Sequence, residues 1–152
     1  MGGRVARVFT VYRWVAFAGP RTTTGVGVAL LVAVVAPQVS LLVTARYPGY
    51  LDTWFVVAGV VLLAATTAML AARSRLVAGL GWAAGSLVCA GSIALWIVSR
   101  TAGLPGVPGA VGRWDHPGAT TVLALAAAFL LLHTSLLLGV TVAVPDRRRW
   151  HD

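Results

Sequence analysis

Apolar residues run along this chain in four long stretches, and every charged residue lies in the short breaks between them or in the terminal segments. The stretches lie at about 24–45, 53–72, 76–98 and 119–144, and none contains an Arg or an Asp. A helix crossing a bilayer core about 30 Å thick needs about 20 mostly apolar residues at about 1.5 Å each. Each stretch meets that length. Their apolar character is continuous rather than alternating, which argues against barrel strands and for helices that close their own backbone hydrogen bonds. The pattern predicts an all-α integral membrane protein, a four-helix transmembrane bundle forming one membrane domain over residues 1–152. Pro37 and Gln38 lie inside the first stretch, where a proline is expected to kink the helix. The one extended connection, 101–118, is rich in Gly and Pro.

The charges add an orientation. With the N-terminus inside, the cytoplasmic segments carry Arg4, Arg7, Arg13, Arg21, Arg73, Arg75, Arg147, Arg148 and Arg149. The outer segments carry only Arg46, Arg100 and Arg113. This bias predicts both termini in the cytoplasm. Trp54, Trp96 and Arg100 are expected as interface anchors at the outer face, and Arg147, Arg148 and Arg149 at the inner one. The basic segments fit a bilayer containing anionic lipids. Because membrane flanks already account for these dispersed Arg residues, no nucleic-acid partner is expected. A cleaved leader ending near Ala45 is disfavoured, since the apolar run is longer than a signal sequence uses and about 25 residues precede it.

Composition explains why lipid must be the solvent: 59% of the 152 residues are hydrophobic and 11% are charged. All 12 basic residues are Arg, all four acidic ones are Asp, and Lys and Glu are absent. No span therefore holds the buried carboxylate on which proton-coupled transport is built. A single cysteine, Cys89, leaves no thiol–disulfide relay. A phosphate-cradling loop with Lys and a Cys/His cluster at zinc spacing are both missing from the sequence. Asp115 and His116 could meet Asp52 across the outer loops, but the spacing carries little signal for a metal. The expectation is a protein that is not an enzyme.

His133 stands halfway along the fourth stretch. Two roles compete for it: a haem, copper or proton-relay group, or a neutral side chain hydrogen-bonded to a neighbouring helix. Gln38, Thr66, Thr67, Ser86 and Cys89 lie at comparable depth. Small residues let helices approach closely, and two stripes of them predict packing faces: Gly81, Gly85, Cys89 and Ser92 on the third helix, Ala124, Ala128, Ser135 and Gly139 on the fourth. On the fourth helix that choice turns His133, Phe129 and Val122 outward, toward a protein partner, a second copy or a cofactor.

The third stretch ends in Trp96-Ile97-Val98-Ser99-Arg100-Thr101-Ala102-Gly103-Leu104-Pro105. This resembles a W-x-V-S-R-T-x-G-L-P motif found at a helix end in uncharacterised small four-span membrane proteins of actinobacteria. The resemblance covers about 25 residues, to Asp115, and the four-span layout. An acidic run and a later Glu of that pattern are absent here, with Val122 at the Glu position. The resemblance implies a bacterial plasma membrane and no particular activity. Three functions follow as expectations. The first is a non-catalytic subunit or accessory protein of a larger respiratory or transport complex, held to other subunits or to copies of itself. The second is a haem- or metal-handling redox protein in which His133 gives one ligand, although the chain alone calls for no cofactor. The third is a small solute transporter or channel, for which the spans offer few polar groups.

Overall fold

A backbone surrounded by hydrocarbon has no water to bond, and a helix is the local arrangement that satisfies it. The computed structural model describes residues 19–44, 47–114 and 117–144. In them the four apolar stretches form helices α1 (Pro20–Thr44), α2 (Gly49–Ala71), α3 (Arg75–Thr101) and α4 (Pro117–Leu137), with a short 3₁₀ turn at Pro108–Ala110. All four are long and apolar enough to cross a membrane. The chain is a multi-pass membrane protein built as a helical bundle. The expected N-terminal headgroup segment, the Asp115–His116 pair and the anchors Arg147, Arg148 and Arg149 lie outside the described residues.

Local chemistry sets the helix ends. Pro20 and Pro117 open α1 and α4, where the missing proline N–H has no intrahelical partner to lose. Ser74 caps α3, its hydroxyl accepting from the Val77 N–H at 3.3 Å. Hydropathy alone carries the fourth helix to Val144, yet it stops at Leu137. The cause is Gly139, whose φ of +72° reverses the chain. Its N–H donates to the Leu136 carbonyl and the Val140 N–H to the Ser135 carbonyl, at 3.0 and 2.9 Å. That is the Schellman arrangement, and it satisfies carbonyls that lipid would leave bare. Gly139 is thus a helix stop rather than a packing residue. Pro37, by contrast, sits inside a helix that continues to Thr44. α3 extends to Thr101 and so carries Arg100 on its last turn.

Consecutive helices are neighbours, and α1 closes the ring against α4. The core is made by Leu31 and Val34 of α1, by Ala58, Leu62, Ala65 and Met69 of α2, by Trp82, Val88 and Cys89 of α3, and by Ala126 and Phe129 of α4. On α2 the buried positions recur at four- and three-residue steps, the seam of a left-handed bundle. At the end away from the 102–116 connection, the Val144 N–H donates to Thr24 Oγ1 at 3.1 Å, tying the chain beyond α4 to the start of α1.

Glycines on α3 fix how close the helices come. A Cβ on Gly81 would lie 2.9 Å from the Ala65 carbonyl oxygen of α2, which is backbone and cannot step aside. A Cβ on Gly85 would lie 3.0 Å from the Phe129 ring and 3.1 Å from Leu31. Gly79, two residues before Gly81, faces open space. Gly81→Ala should therefore destabilise the bundle by about 1–3 kcal/mol through overpacking. Gly79→Ala should be neutral or stabilise by up to about 1 kcal/mol through helix propensity. Detergent unfolding of the two variants side by side checks the opposite signs; equal effects would mean that α2 and α3 are not in this contact.

Candidate functional site

The connection after α3 folds back over the bundle and is held there by specific bonds. The Arg100 guanidinium donates from Nη1 to the Ala110 carbonyl at 3.1 Å, and the Gly112 N–H donates to the Arg100 carbonyl at 3.0 Å. Tyr50, on the first turn of α2, donates its hydroxyl to the Pro105 carbonyl at 2.7 Å. Gly103, Gly106 and Gly112 all have positive φ, and these left-handed residues turn the segment in so little length. Arg100 also lies 5.8 Å over the Trp96 ring, whose edge meets Trp114 with centroids 5.2 Å apart.

Beneath this loop the four helices do not fill their interior. They leave a half-open cavity of about 640 Å³ with walls from every helix: Gln38 of α1, Trp54 of α2, Ser92 and Trp96 of α3, and Val122 and Ala126 of α4. Ser92 is nine residues from the end of α3, and Ala126 nine from the start of α4. At about 1.5 Å per residue the floor lies about 14 Å below the loop end, close to the middle of a bilayer. The mouth carries Arg100 and Arg113, and among the described residues no carboxylate lines the cavity. Trp54 stays in the wall because Gly91 gives it room, a Cβ there lying 2.7 Å from the indole.

The polar atoms of this wall are poorly served by the protein. Eight buried side-chain polar atoms among the described residues have no hydrogen-bond partner, and five belong to residues lining the cavity. They are Gln38 Oε1, Trp54 Nε1, Ser92 Oγ, Trp96 Nε1 and Arg100 Nε. Gln38 is 2% exposed. Each such atom costs about 1–3 kcal/mol if it stays unpaired. The other three are on Thr23, Asp52 and Trp82, while several helix threonines avoid this cost. Thr53, Thr66, Thr67, Thr101 and Thr134 each donate to the carbonyl four residues earlier, at 2.8–2.9 Å. Three of the wall atoms, those on Trp54, Trp96 and Arg100, can only donate. Each of these atoms exposes almost no surface, so they sit within the wall rather than on its face.

His133 belongs elsewhere. It does not turn away from the bundle: its Nδ1 shares a hydrogen bond with Ser86 Oγ of α3 at 2.5 Å, and its ring lies against Trp82 with centroids 5.7 Å apart. Trp82 also stacks on Phe129, at 5.2 Å and 14°. The face expected to meet a partner is thus the inner face of α4. Phe129 and Ala126 are fully buried and Val122 packs against the core. The expected packing stripe turns the other way, with Ala124 exposed and Ala128 and Ser135 half-buried. The reason is complementary size: Gly81 of α3 admits the α2 backbone at Ala65, and the space beside Gly85 is filled by the Phe129 ring of α4, not by a second small face. Ser92, the last member of that α3 stripe, lines the cavity. Trp54, Trp96 and Arg100, expected as interface anchors, are wall residues of the cavity.

The sequence alone missed this site because its members lie on four helices with no common spacing. Gln38 was the one visible signal, a lone amide in an apolar span. Among the described residues no group of three metal-ligating side chains comes together. Compared with known protein families, with characterised proteins and with solved structures, the chain matches none.

The Ser86–His133 bond links α3 to α4 at mid-membrane depth, and its strength can be measured. Ser86→Ala and His133→Phe, the latter keeping a ring against Trp82, should show a coupling of about 0.6 kcal/mol and no more than about 1.7. A double-mutant cycle read by denaturing-detergent titration gives that number. Full additivity would place His133 away from Ser86.

Proposed function

We propose that the chain is a membrane-embedded binding protein that takes a small amphiphilic molecule into the cavity under its loop. The observation that carries this reading is the coincidence of the cavity with five unpartnered polar atoms on its wall residues. The volume of about 640 Å³ falls within the ~300–1,000 Å³ typical of small-molecule sites. Tryptophan, Phe55, Ile93 and Leu123 supply apolar wall, and the polar groups are few and convergent, as specificity in such sites requires. The Arg distribution supports placing the loop end outside a bacterial plasma membrane, so the mouth meets the outer leaflet. The motif resemblance favours an actinobacterial setting.

The expectation of an accessory subunit drew on an outward His133, and that support is gone, since the side chain is engaged with Ser86 and Trp82. The cavity is firmer ground. A ligand-binding subunit within a larger membrane assembly is the form in which the two readings agree, and partners held in fixed ratio after mild-detergent purification would show it.

The test uses the full chain in nanodiscs of zwitterionic lipid with a photoactivatable long-chain alcohol and peptide mapping of the adducts. Adducts are expected on wall residues such as Phe55, Ile93 and Leu123 as well as on lipid-facing Leu80, Leu87 and Leu131. Ser92→Phe and Val122→Phe, each adding a side chain to the cavity, should abolish the wall adducts and spare the others. Adducts confined to the lipid-facing positions would defeat the proposal.

A further inference from the structure

The wall residues also say what kind of amphiphile fits, and we infer that the ligand is a single-chain amphiphile with an anionic head, seated with the head on Arg100 and Arg113 and the chain directed down past Trp54 and Ser92. This inference rests on the reading of the cavity as a ligand site and names its ligand class. Three observations carry it. The first is charge: two guanidinium groups line the mouth, and among the described residues no carboxylate lines the cavity, Asp52 being outside the lining. An anion is the partner that two positive charges at the edge of a low-dielectric cavity favour, and guanidinium pairs with carboxylate or phosphate in fork geometry.

The second observation is the donor excess. The Arg100 Nη1 is spent on Ala110, but its Nε has no partner, and the indole N–H groups of Trp54 and Trp96 have none. These groups cannot accept, so an ammonium head has nothing to gain from this wall. They lie just beneath the wall surface, and the donor that an acceptor-rich head meets directly is Arg113, exposed at the mouth. The third is size. A volume of about 640 Å³ lies in the range of small-molecule sites and matches one chain with a compact head. The depth of about 14 Å agrees, since it admits one acyl segment lying alongside the helices and ending near mid-bilayer.

A carboxylate or a phosphate monoester could supply the same charge, and the experiment separates them. The full chain in zwitterionic nanodiscs is exposed to matched photoactivatable probes: a long-chain fatty acid, the corresponding alcohol, a lysophosphatidic acid and a two-chain phosphatidic acid. Adducts on the cavity wall are expected to be about tenfold more abundant for at least one single-chain anion than for the alcohol, in line with a charge-assisted contact. Whichever anion leads identifies the head as carboxylate or phosphate. Arg113 is the clean position to alter, because Arg100 also holds the loop. Arg113→Gln should bring the anion down to the level of the alcohol, and Arg113→Lys should restore most of the difference. Equal wall labelling by alcohol and anions would overturn the anionic head while leaving ligand binding intact. Phosphatidic acid labelling the wall as well as the single-chain probes would overturn the single-chain assignment. Absence of wall labelling by every probe would remove both this inference and the binding function.

Discussion

Hydrocarbon cannot accept or donate a hydrogen bond, and this one constraint organises the molecule. Every polar group placed in the membrane has to find its partner within the protein. The lipid-facing threonines do so locally, each returning its hydroxyl to the preceding turn of its own helix. The helix ends do so through Ser74 and the Gly139 turn. His133 does so across the α3–α4 contact. Against that background, five of the eight unpartnered buried polar atoms, those of Gln38, Trp54, Ser92, Trp96 and Arg100, belong to residues lining one cavity, and the other three, on Thr23, Asp52 and Trp82, lie outside it. A majority gathered around one cavity fits a site for a polar-headed guest.

The cavity follows from how the bundle packs. In lipid, helices gain nothing from hiding apolar surface as such, and close fit must hold them together. α3 secures that fit in its first half with Gly81 and Gly85, which admit the α2 backbone and the Phe129 ring. In its second half the pattern changes. Gly91 receives the Trp54 ring, Ser92 and Ile93 line open space, and the facing positions of α4 are Val122 and Ala126. Among the described residues, the α4 side chains that line the cavity include no ring such as Phe129 supplies deeper in the bundle. One half of the bundle is closed by an aromatic stack of Phe129, Trp82 and His133, and the other is left open beneath the loop.

The number, type and approximate bounds of the helices were legible in the sequence because a span in lipid is a property of composition over about 20 residues. The two features that hydropathy misread are matters of backbone and of pairing. An apolar run does not show where a glycine adopts a positive φ, so α4 is shorter than its hydrophobicity. Face assignment on α4 failed for a related reason. A stripe of small residues indicates close approach only when the opposite helix also has something to bring close, and α3 had already supplied the space. Ala124 and Ala128 were therefore free to face outward, while Phe129, which has the most contact to gain, took the interior. The cavity was illegible because it is made by what four separate helices leave out.

The segment Trp96–Pro105, by contrast, was visible as a pattern without a purpose, and the structure gives each of its polar and turn-forming members a mechanical one. Ser99 returns its hydroxyl to the Trp96 carbonyl and Thr101 to that of Ile97, finishing α3 without exposed hydroxyls. Gly103 bends the chain, Pro105 offers its carbonyl to Tyr50, and Arg100 clasps Ala110 from beneath. All but one of these bonds stay within the segment or the loop that follows it, and the Tyr50 hydroxyl ties the segment to the start of α2. What remains of the segment after those duties is a Trp indole N–H and an Arg Nε without partners, both on residues of the cavity wall. A frame whose structural needs are met, and whose surplus donors gather at one opening, is better explained by the molecule it receives than by the helix it ends.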